Sequence, residues 1–524
     1  MKVLVFTVYT RWHIHYETDL EIMQRHLDDG DEVSHLHCNS ELPVCEANSG
    51  HSLEHCSECI GIRQSGLELL SPKVKSVPFL RLTPHDRDEI ASLRQSFDSM
   101  DELRAFRLDN FDIGWAVLSS LISTNRDPRP DVRTNRYLVS GFILAAASVY
   151  RSMQNRLREI RPDRVYVFNG RFATSRAVLR ACQSMNVSCF MHDRGQDLQH
   201  FGLFENTLPH DSTYIERQIV EHWSKNGDGP RRRELAHKFY IDRSKGIIPS
   251  WYSLTGSQQA ERLPQNWDPA KKNIAIFNSS EDEFAAIGDE WTNLLYASQQ
   301  EGLERILQSL SKSEHNIHLY LRIHPNLKAI DNAQTRELAT LKADFLTVLS
   351  PEDPVSTYAL MKESDKVVTF GSTTGIEAVF WGIPSILAGP AYYGNLGGTY
   401  NPRSHEELVA LLRADLPPKD KTSALMYGYY FNNYGIPFKY YEASGMTEGK
   451  FKGQKLLPEP TRWWILGRVL EQVWGLRHVA RMIFILRTRA RITGSFRVRL
   501  LDALPSRLGP LLERLTHFTK SSLK

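Results

Sequence analysis

The chain has 524 residues, of which 41% are hydrophobic, 24% charged and 10% aromatic, with a formal net charge of +3. That length exceeds one ordinary core and that balance excludes a disordered or collagen-like chain, so two large domains and an appendage are expected. No run approaches the roughly 18 apolar residues of a membrane-spanning helix, and six cysteines are too few for a secreted disulfide scaffold of this size, which points to a reducing cytoplasm.

The opening MKVLVFTVYTRW is too short in apolar residues for a signal peptide and reads as a buried strand over 2–8. Helical periodicity over 16–27 ends at Gly30, and 32–37 reads as the next strand. The loop that follows carries Cys38, Cys45, Cys56 and Cys59, the last two at a spacing that lets two thiolates share one tetrahedral ion. A structural zinc is the expectation for this loop over 38–59, with His51 and His55 as substitute ligands; an iron–sulfur cluster, two disulfides and free thiols are the alternatives. Residues 75–160 read as a mainly helical insertion. The stretch 161–195 then repeats the opening plan: strand 164–168, a loop of Asn169, Gly170 and Arg171, helix 174–184, strand 188–192, and a loop carrying Asp193 and Arg194. A Rossmann-like domain over 1–248 is expected.

Polar residues and prolines over 249–269 suit a linker, after which the pattern restarts. Strands are expected at 273–277, 315–323, 346–349, 366–370 and 383–387, with a helix over 290–311, giving a second domain over 270–415. No Gly-x-Gly-x-x-Gly follows the first strand, and neither a Gly-x-x-x-x-Gly-Lys-Ser/Thr loop nor a Gly-x-Ser-x-Gly elbow occurs, so nicotinamide, P-loop and serine-hydrolase chemistry lose support. Three strand ends instead carry polar groups: Asn278, Ser279, Ser280 and Glu281; Arg322 and His324 before Pro325; and Ser372, Thr373 and Thr374 with Glu377 in the following helix. A helix start offers unpaired N–H groups and the positive pole of the dipole. Guanidinium, imidazole and hydroxyl-lined turn are expected to converge on one phosphate or diphosphate, with Glu377 accepting from ribose hydroxyls. Taken singly, each has a structural explanation, such as a helix cap for Ser372 or Ser279 and a solvated strand end for Arg322.

The region 416–524 reads as helical, and from residue 461 onward it holds 13 Lys/Arg against 3 Asp/Glu. Trp463, Trp464, Trp474, Ile483, Phe484 and Leu486 interleave there with Arg468, Arg477, Arg481, Arg487, Arg489 and Arg491. That mixture is expected to lie on an anionic membrane surface, at the inner face of the cell membrane. Packing back across the domains is the plainer alternative, and nucleic acid is not expected as a partner.

FNGR at 168–171, HDRG at 192–195, NSSEDEF at 278–284, LRIHPN at 321–326 and FGSTTGIEAVFWGIPSIL at 370–387 together resemble the capsule polysaccharide synthesis proteins, which include Kdo transferases. More distantly they are similar to bacterial polysialyltransferases and to glycerophosphotransferases that use CDP-glycerol. The resemblance spans about 160–400 and implies a GT-B glycosyltransferase: two Rossmann-like α/β domains facing across a cleft, with a basic helical extension. It implies a nucleotide-activated donor, such as CMP-linked Kdo, on the second domain, and a glycan or lipid-linked acceptor on the first. His324 and the Ser372, Thr373, Thr374 turn would hold the donor phosphate without a catalytic metal. Asn169, Gly170, Arg171 and Arg194 would meet the acceptor. Glu17, with Asp193 behind it, is the expected base, and His13, His15, Asp19, His192, Glu281 and Asp282 are rivals; the acidic motif that polysialyltransferases place before a glycine has no convincing counterpart. A glycerol- or ribitol-phosphate transferase, a UDP-sugar 2-epimerase and a non-catalytic scaffold remain as alternatives.

Overall fold

The computed structural model describes the chain apart from residues 71–73, 226–228, 249–257, 312–315, 459–468, 470–473 and 495–524. It separates into two units, one made of 1–125, 129–209 and 435 onward, the other of 126–128 and 210–434.

The first unit is built on β1 (Lys2–Thr7), β2 (Glu32–His37), β3 (Lys75–Pro78), β4 (Arg164–Phe168), β5 (Ser188–Arg194) and β6 (His200–Glu205). Strands β1 to β5 run parallel in the order β3-β2-β1-β4-β5. Every residue of β1 after Lys2 is buried, as expected where helices cover both sheet faces. The order reverses between β1 and β4, and the loops after those two strands are where an open sheet of this kind forms its crevice. The strand expected to stop at 192 runs on to Arg194 because β6 pairs with it antiparallel. The insertion is helical as read, with Ile113–Asn125 and Arg136–Ile160 its longest helices.

The second unit contains β7 (Lys272–Phe277), β8 (Ile317–Arg322), β9 (Leu346–Leu349), β10 (Lys366–Thr369) and β11 (Ser385–Leu387), all parallel in the order β9-β8-β7-β10-β11. This is the same doubly wound order, with its switch point between β7 and β10. The α/β class and the two doubly wound, Rossmann-like units read from the sequence hold. The helix expected over 290–311 is shorter, Gln299–Leu310, because Ser298 caps it by accepting from the Glu301 amide at 3.1 Å.

The chain divides differently from the expected boundaries at 248 and 415. Helices Ser212–Lys225 and Pro230–Ser244 belong to the second unit, where they pack on Thr422–Phe431. Tyr240 stacks on Phe380 at 4.2 Å, and its hydroxyl donates to the Ala424 carbonyl at 2.6 Å. Residues from 435 return to the first unit. There β12 (Ile436–Pro437) pairs with β6, and β13 (Tyr441–Gly445) and β14 (Glu448–Phe451) form a hairpin whose Tyr441 and Phe451 join the core of Val3, Val5, Leu20 and Met23. Fully buried Glu21 fixes this return, its two carboxylate oxygens accepting from the amides of Lys439 and Tyr440 at 2.8 Å each.

The region after 416 is therefore not helical throughout. Its described basic helix, Trp474–Thr493, buries Phe484, Ile485, Thr488, Arg489 and Ile492, and Arg489 donates to Ser140 Oγ at 3.0 Å. Val479 and Ile483 stay exposed, as do Arg487 and Arg491. Trp463, Trp464 and Arg468 lie outside the described residues, as do the side chains of Trp474 and Arg477. No described helix is long and apolar enough to cross a membrane.

Burial lowers several imidazoles of the first unit: His15, His37 and His51 each to about 3. An unfolded chain binds these protons near pH 6.5 and the folded chain does not, so the unfolded state holds more protons between those values and stability falls as pH falls. The melting midpoint is expected to drop steadily from pH 7 toward pH 4.5; a flat midpoint across that window contradicts the burial of neutral imidazoles.

Candidate donor site and acceptor ledge

At the switch point of the second unit, the loop after β7 meets the loops after β8 and β10. Asn278 is 1% exposed, and its Oδ1 accepts from the His324 amide at 2.8 Å, tying the first two loops together. Ser279 Oγ donates to the Phe370 carbonyl at 3.1 Å and accepts from Gln299 Nε2 at 2.9 Å, which ties in the third. Ser280 donates to Asp282 at 2.5 Å, and Glu281 Oε1 accepts from the Gln299 amide at 2.8 Å. The structure thus gathers Asn278, Ser279, Ser280 and Glu281 where expected, but these bonds spend their polar groups on holding the loops in place. Gln299 and Gln334, the latter donating to the Ser279 carbonyl at 2.8 Å, complete this knot and were not singled out from the sequence.

His324 is the open group. Its Nδ1 accepts from the Asn326 amide at 3.2 Å, so the neutral ring carries its proton on Nε2 as a donor. Burial lowers this imidazole to about 4, which keeps it neutral at physiological pH. Arg322 was expected to join it. The guanidinium, 3% exposed, instead donates to the Asp353 carbonyl at 2.9 Å under the turn after β9.

The turn after β10 begins at Gly371, whose φ of +108° and whose approach to the Pro390 carbonyl both demand glycine. Ser372 Oγ accepts from the Thr374 amide at 3.3 Å and the Thr374 hydroxyl at 2.9 Å. The amides of Ser372 and Thr373 have no acceptor among the described residues. Two consecutive open N–H groups at the start of helix Thr374–Trp381 make an anion-binding concavity.

Glu377 was expected to face ribose hydroxyls, but it is 2% exposed with both oxygens taken, one by Arg243 Nε at 2.9 Å and the other by the Tyr358 hydroxyl at 2.5 Å. Arg243 Nη2 also donates to Thr373 Oγ1 at 3.2 Å, which sets a cation beside the turn. This arginine comes from Pro230–Ser244, outside every motif that the sequence offered.

On the first unit, the start of the helix His15–Asp28 after β1, the loop after β4 and the end of β5 gather a second group. Glu17 is 3% exposed and its Oε1 lies 3.0 Å from His13 Nδ1. Asp193 is half-buried; Oδ2 accepts from Asn169 Nδ2 at 2.8 Å and Oδ1 from the Arg194 amide at 2.8 Å. Beneath it, His192 Nε2 lies 2.8 Å from Asp19 Oδ1, and Thr7 donates to Asp19 Oδ2 at 2.6 Å, all buried. His15 and Asp19 line a void of about 10 Å³, room for one water and no acceptor. Gly170, expected to admit a ligand, has a φ of +82° and lies against Met191, whose Cγ would stand 2.6 Å from an added Cβ. Arg171 stacks over Phe172 at 4.8 Å, and Arg194 reaches Met446 Sδ at 4.0 Å.

The cysteines do not fit the expected zinc. Sulfurs around a tetrahedral ion stand roughly 3.8 Å apart, given Zn–S bonds near 2.3 Å. Among the described residues the trio with ligand atoms within 4.8 Å of one another is His26, Asp29 and Asp31, and no trio of Cys38, Cys45, Cys56 and Cys59 meets that limit. All four are free, and burial raises the thiols of Cys38 to about 12 and Cys56 to about 11.

Among solved structures, the chain is similar to the beta Kdo 2,4 transferase of Thermosulfurimonas dismutans KpsC at 14% identity, covering 51% of this chain and 79% of that one, with a TM-score of 0.35. It is similar to the beta Kdo 2,7 transferase of the same organism at 13% identity, over 53% of this chain and 79% of that one, with a TM-score of 0.31. A UDP-GlcNAc 2-epimerase from Neisseria meningitidis, bound to UDP-GlcNAc, gives 12% identity over 85% of this chain and 96% of that one, with a TM-score of 0.25. Among curated proteins, none matches. Residues 292–441, which carry His324 and the whole turn after β10, match the family described as capsule polysaccharide biosynthesis protein, the family that the sequence motifs resemble.

Proposed function

We propose that the chain is a glycosyltransferase of surface or capsular polysaccharide assembly, taking its sugar from a nucleotide-activated donor bound at the switch point of the second unit. The observation that carries this reading is the pair of open amides at Ser372 and Thr373, on a turn forced by Gly371 and flanked by Arg243. A leaving phosphate gathers charge as the glycosidic bond breaks, and fixed N–H donors that need no reorganisation stabilise that charge most. Strands β8 and β10 flank β7, so their axes stand roughly 10 Å apart. A donor with its phosphate on the Ser372 and Thr373 amides then reaches the His324 Nε2 proton with a second phosphate or the sugar.

Fixed donors and Arg243 supply the positive charge in this proposal, with no metal ion assigned a step. Asp193 is preferred to Glu17 as the base, because Glu17 is enclosed beside His13, whereas Asp193 stands half-exposed and is oriented by Asn169. A CMP-linked acidic sugar such as Kdo as donor, and a glycan or lipid-linked acceptor meeting Asn169, Arg171 and Arg194, complete the proposal. A cytoplasmic enzyme held peripherally on the inner membrane face suits such an acceptor, and the exposed Val479, Ile483, Arg487 and Arg491 support that placement. Loss of the chain from anionic vesicles in a flotation assay would remove the membrane part alone.

The test is a nucleotide panel read by thermal shift. At a hundredfold excess over Kd, a bound nucleotide stabilises by about 2.7 kcal/mol, a rise of several degrees. CMP or CDP is expected to produce it. A response to UDP alone favours an epimerase-like reaction, and no response to any nucleotide ends the enzyme reading.

A further inference from the structure

Arg126 follows the first-unit helix Ile113–Asn125, yet residues 126–128 belong to the second unit, and the chain returns to the first at Arg129. This short visit places one guanidinium on both loops that frame His324. Its Nε donates to Asp282 Oδ2 at 2.7 Å, and its Nη2 donates to the Asn326 carbonyl at 3.3 Å. The Arg126 carbonyl accepts from Asn332 Nδ2 at 2.7 Å, which fastens the visiting segment from its other side.

Asn326 is the residue whose amide sets the His324 tautomer, and its side chain donates to Glu283 Oε1 at 2.5 Å. Asp282, 5% exposed, takes one further hydrogen bond from Ser280. The guanidinium therefore closes a ring that runs from Asp282 on the loop after β7 to Asn326 and His324 on the loop after β8. Asp282 is close enough to the imidazole to oppose the burial that lowers it, and it is paired with Arg126. The backbone of Arg126 has a φ of +53°, in the left-handed region that side chains other than glycine, asparagine and aspartate seldom adopt. Such a conformation persists where its surroundings over-determine it, and it recurs at working sites.

We infer that Arg126 is a positioning residue for the donor site: it holds the His324 loop so that Nδ1 stays an acceptor and the Nε2 proton faces the bound nucleotide phosphate or sugar. This rests on the donor site proposed above. The full-length chain is titrated with CMP, CDP and UDP by calorimetry, comparing wild type with Arg126→Gly and Arg126→Lys. Glycine suits the φ of +53° while removing the side chain that carries the guanidinium, so the fold is retained and the affinity is expected to fall about tenfold. Lysine keeps the charge on Asp282 but loses the fork to Asn326, and is expected to recover part of that loss. Wild type binding none of the three nucleotides overturns the donor site itself. Wild type binding one of them, with Arg126→Gly within about twofold of it, overturns the role of Arg126 and leaves the site standing. Should Arg126→Gly not fold, Arg126→Lys decides: binding as tight as wild type refutes the inference, and intermediate weakening supports it.

Discussion

Alanine at His324 is expected to lower transfer about 10²–10³-fold, the usual cost of losing one donor aimed at developing charge, with the melting midpoint within a few degrees of wild type. The small effect on folding follows from the geometry, since the His324 side chain makes one hydrogen bond, accepted at Nδ1 from Asn326, while the backbone tie to Asn278 survives the substitution. The imidazole is already neutral, so its removal strips the site of a hydrogen-bond donor and leaves the formal charge unchanged. Glutamine, which keeps an N–H group, is expected to restore part of the rate. Nucleotide affinity and single-turnover transfer measure the two effects separately. Full turnover by the alanine variant would place the chemistry elsewhere.

Arg243→Ala is expected to be the most destabilising single change at the turn, costing about 3–5 kcal/mol, because it strands a buried carboxylate. Glu377 then keeps only the Tyr358 hydroxyl as partner, and Thr373 loses its cationic donor. Adding Glu377→Gln removes the stranded charge and is expected to recover a large part of the loss in a double-mutant cycle. Chemical denaturation of the four chains measures it. A single-variant change below about 0.5 kcal/mol would show that solvent screens the pair as it does on a surface.

Much of the sheet framework was legible because its causes are local. Strands β2, β4 and β9 fall on the expected residues, where short β-rich runs are bounded by Gly, Pro, Asp or a polar loop. Strands β6, β12 and the hairpin were not: β6 and β12 pair with each other across more than 230 residues, and the hairpin is held by core contacts with the amino-terminal strands. The same distinction governs the site. Residue types at strand ends pointed to loops that do lie together in the second unit, and His324 and the Ser372 turn stand open there. Composition could not tell that Asn278 and Ser279 spend their bonds on the loops after β8 and β10 and Ser280 on its own loop, or that Arg322 turns under Asp353. Arg126 and Arg243, the cations that do reach these loops, arrive from 156 residues before Asp282 and 134 before Glu377, beyond the reach of any spacing rule.

The return of the chain at Gly435 has a consequence for how the protein is made. A ribosome releases the amino-terminal strands first, but their core waits for Tyr441 and Phe451, and buried Glu21 waits for the amides of Lys439 and Tyr440. The stretch from His210 to Tyr434 emerges earlier and has nearly all of its own contacts, so during vectorial synthesis the later-encoded body is the one able to finish first. A nascent chain halted anywhere before Phe451 would carry an unsealed apolar sheet, a ready substrate for chaperones.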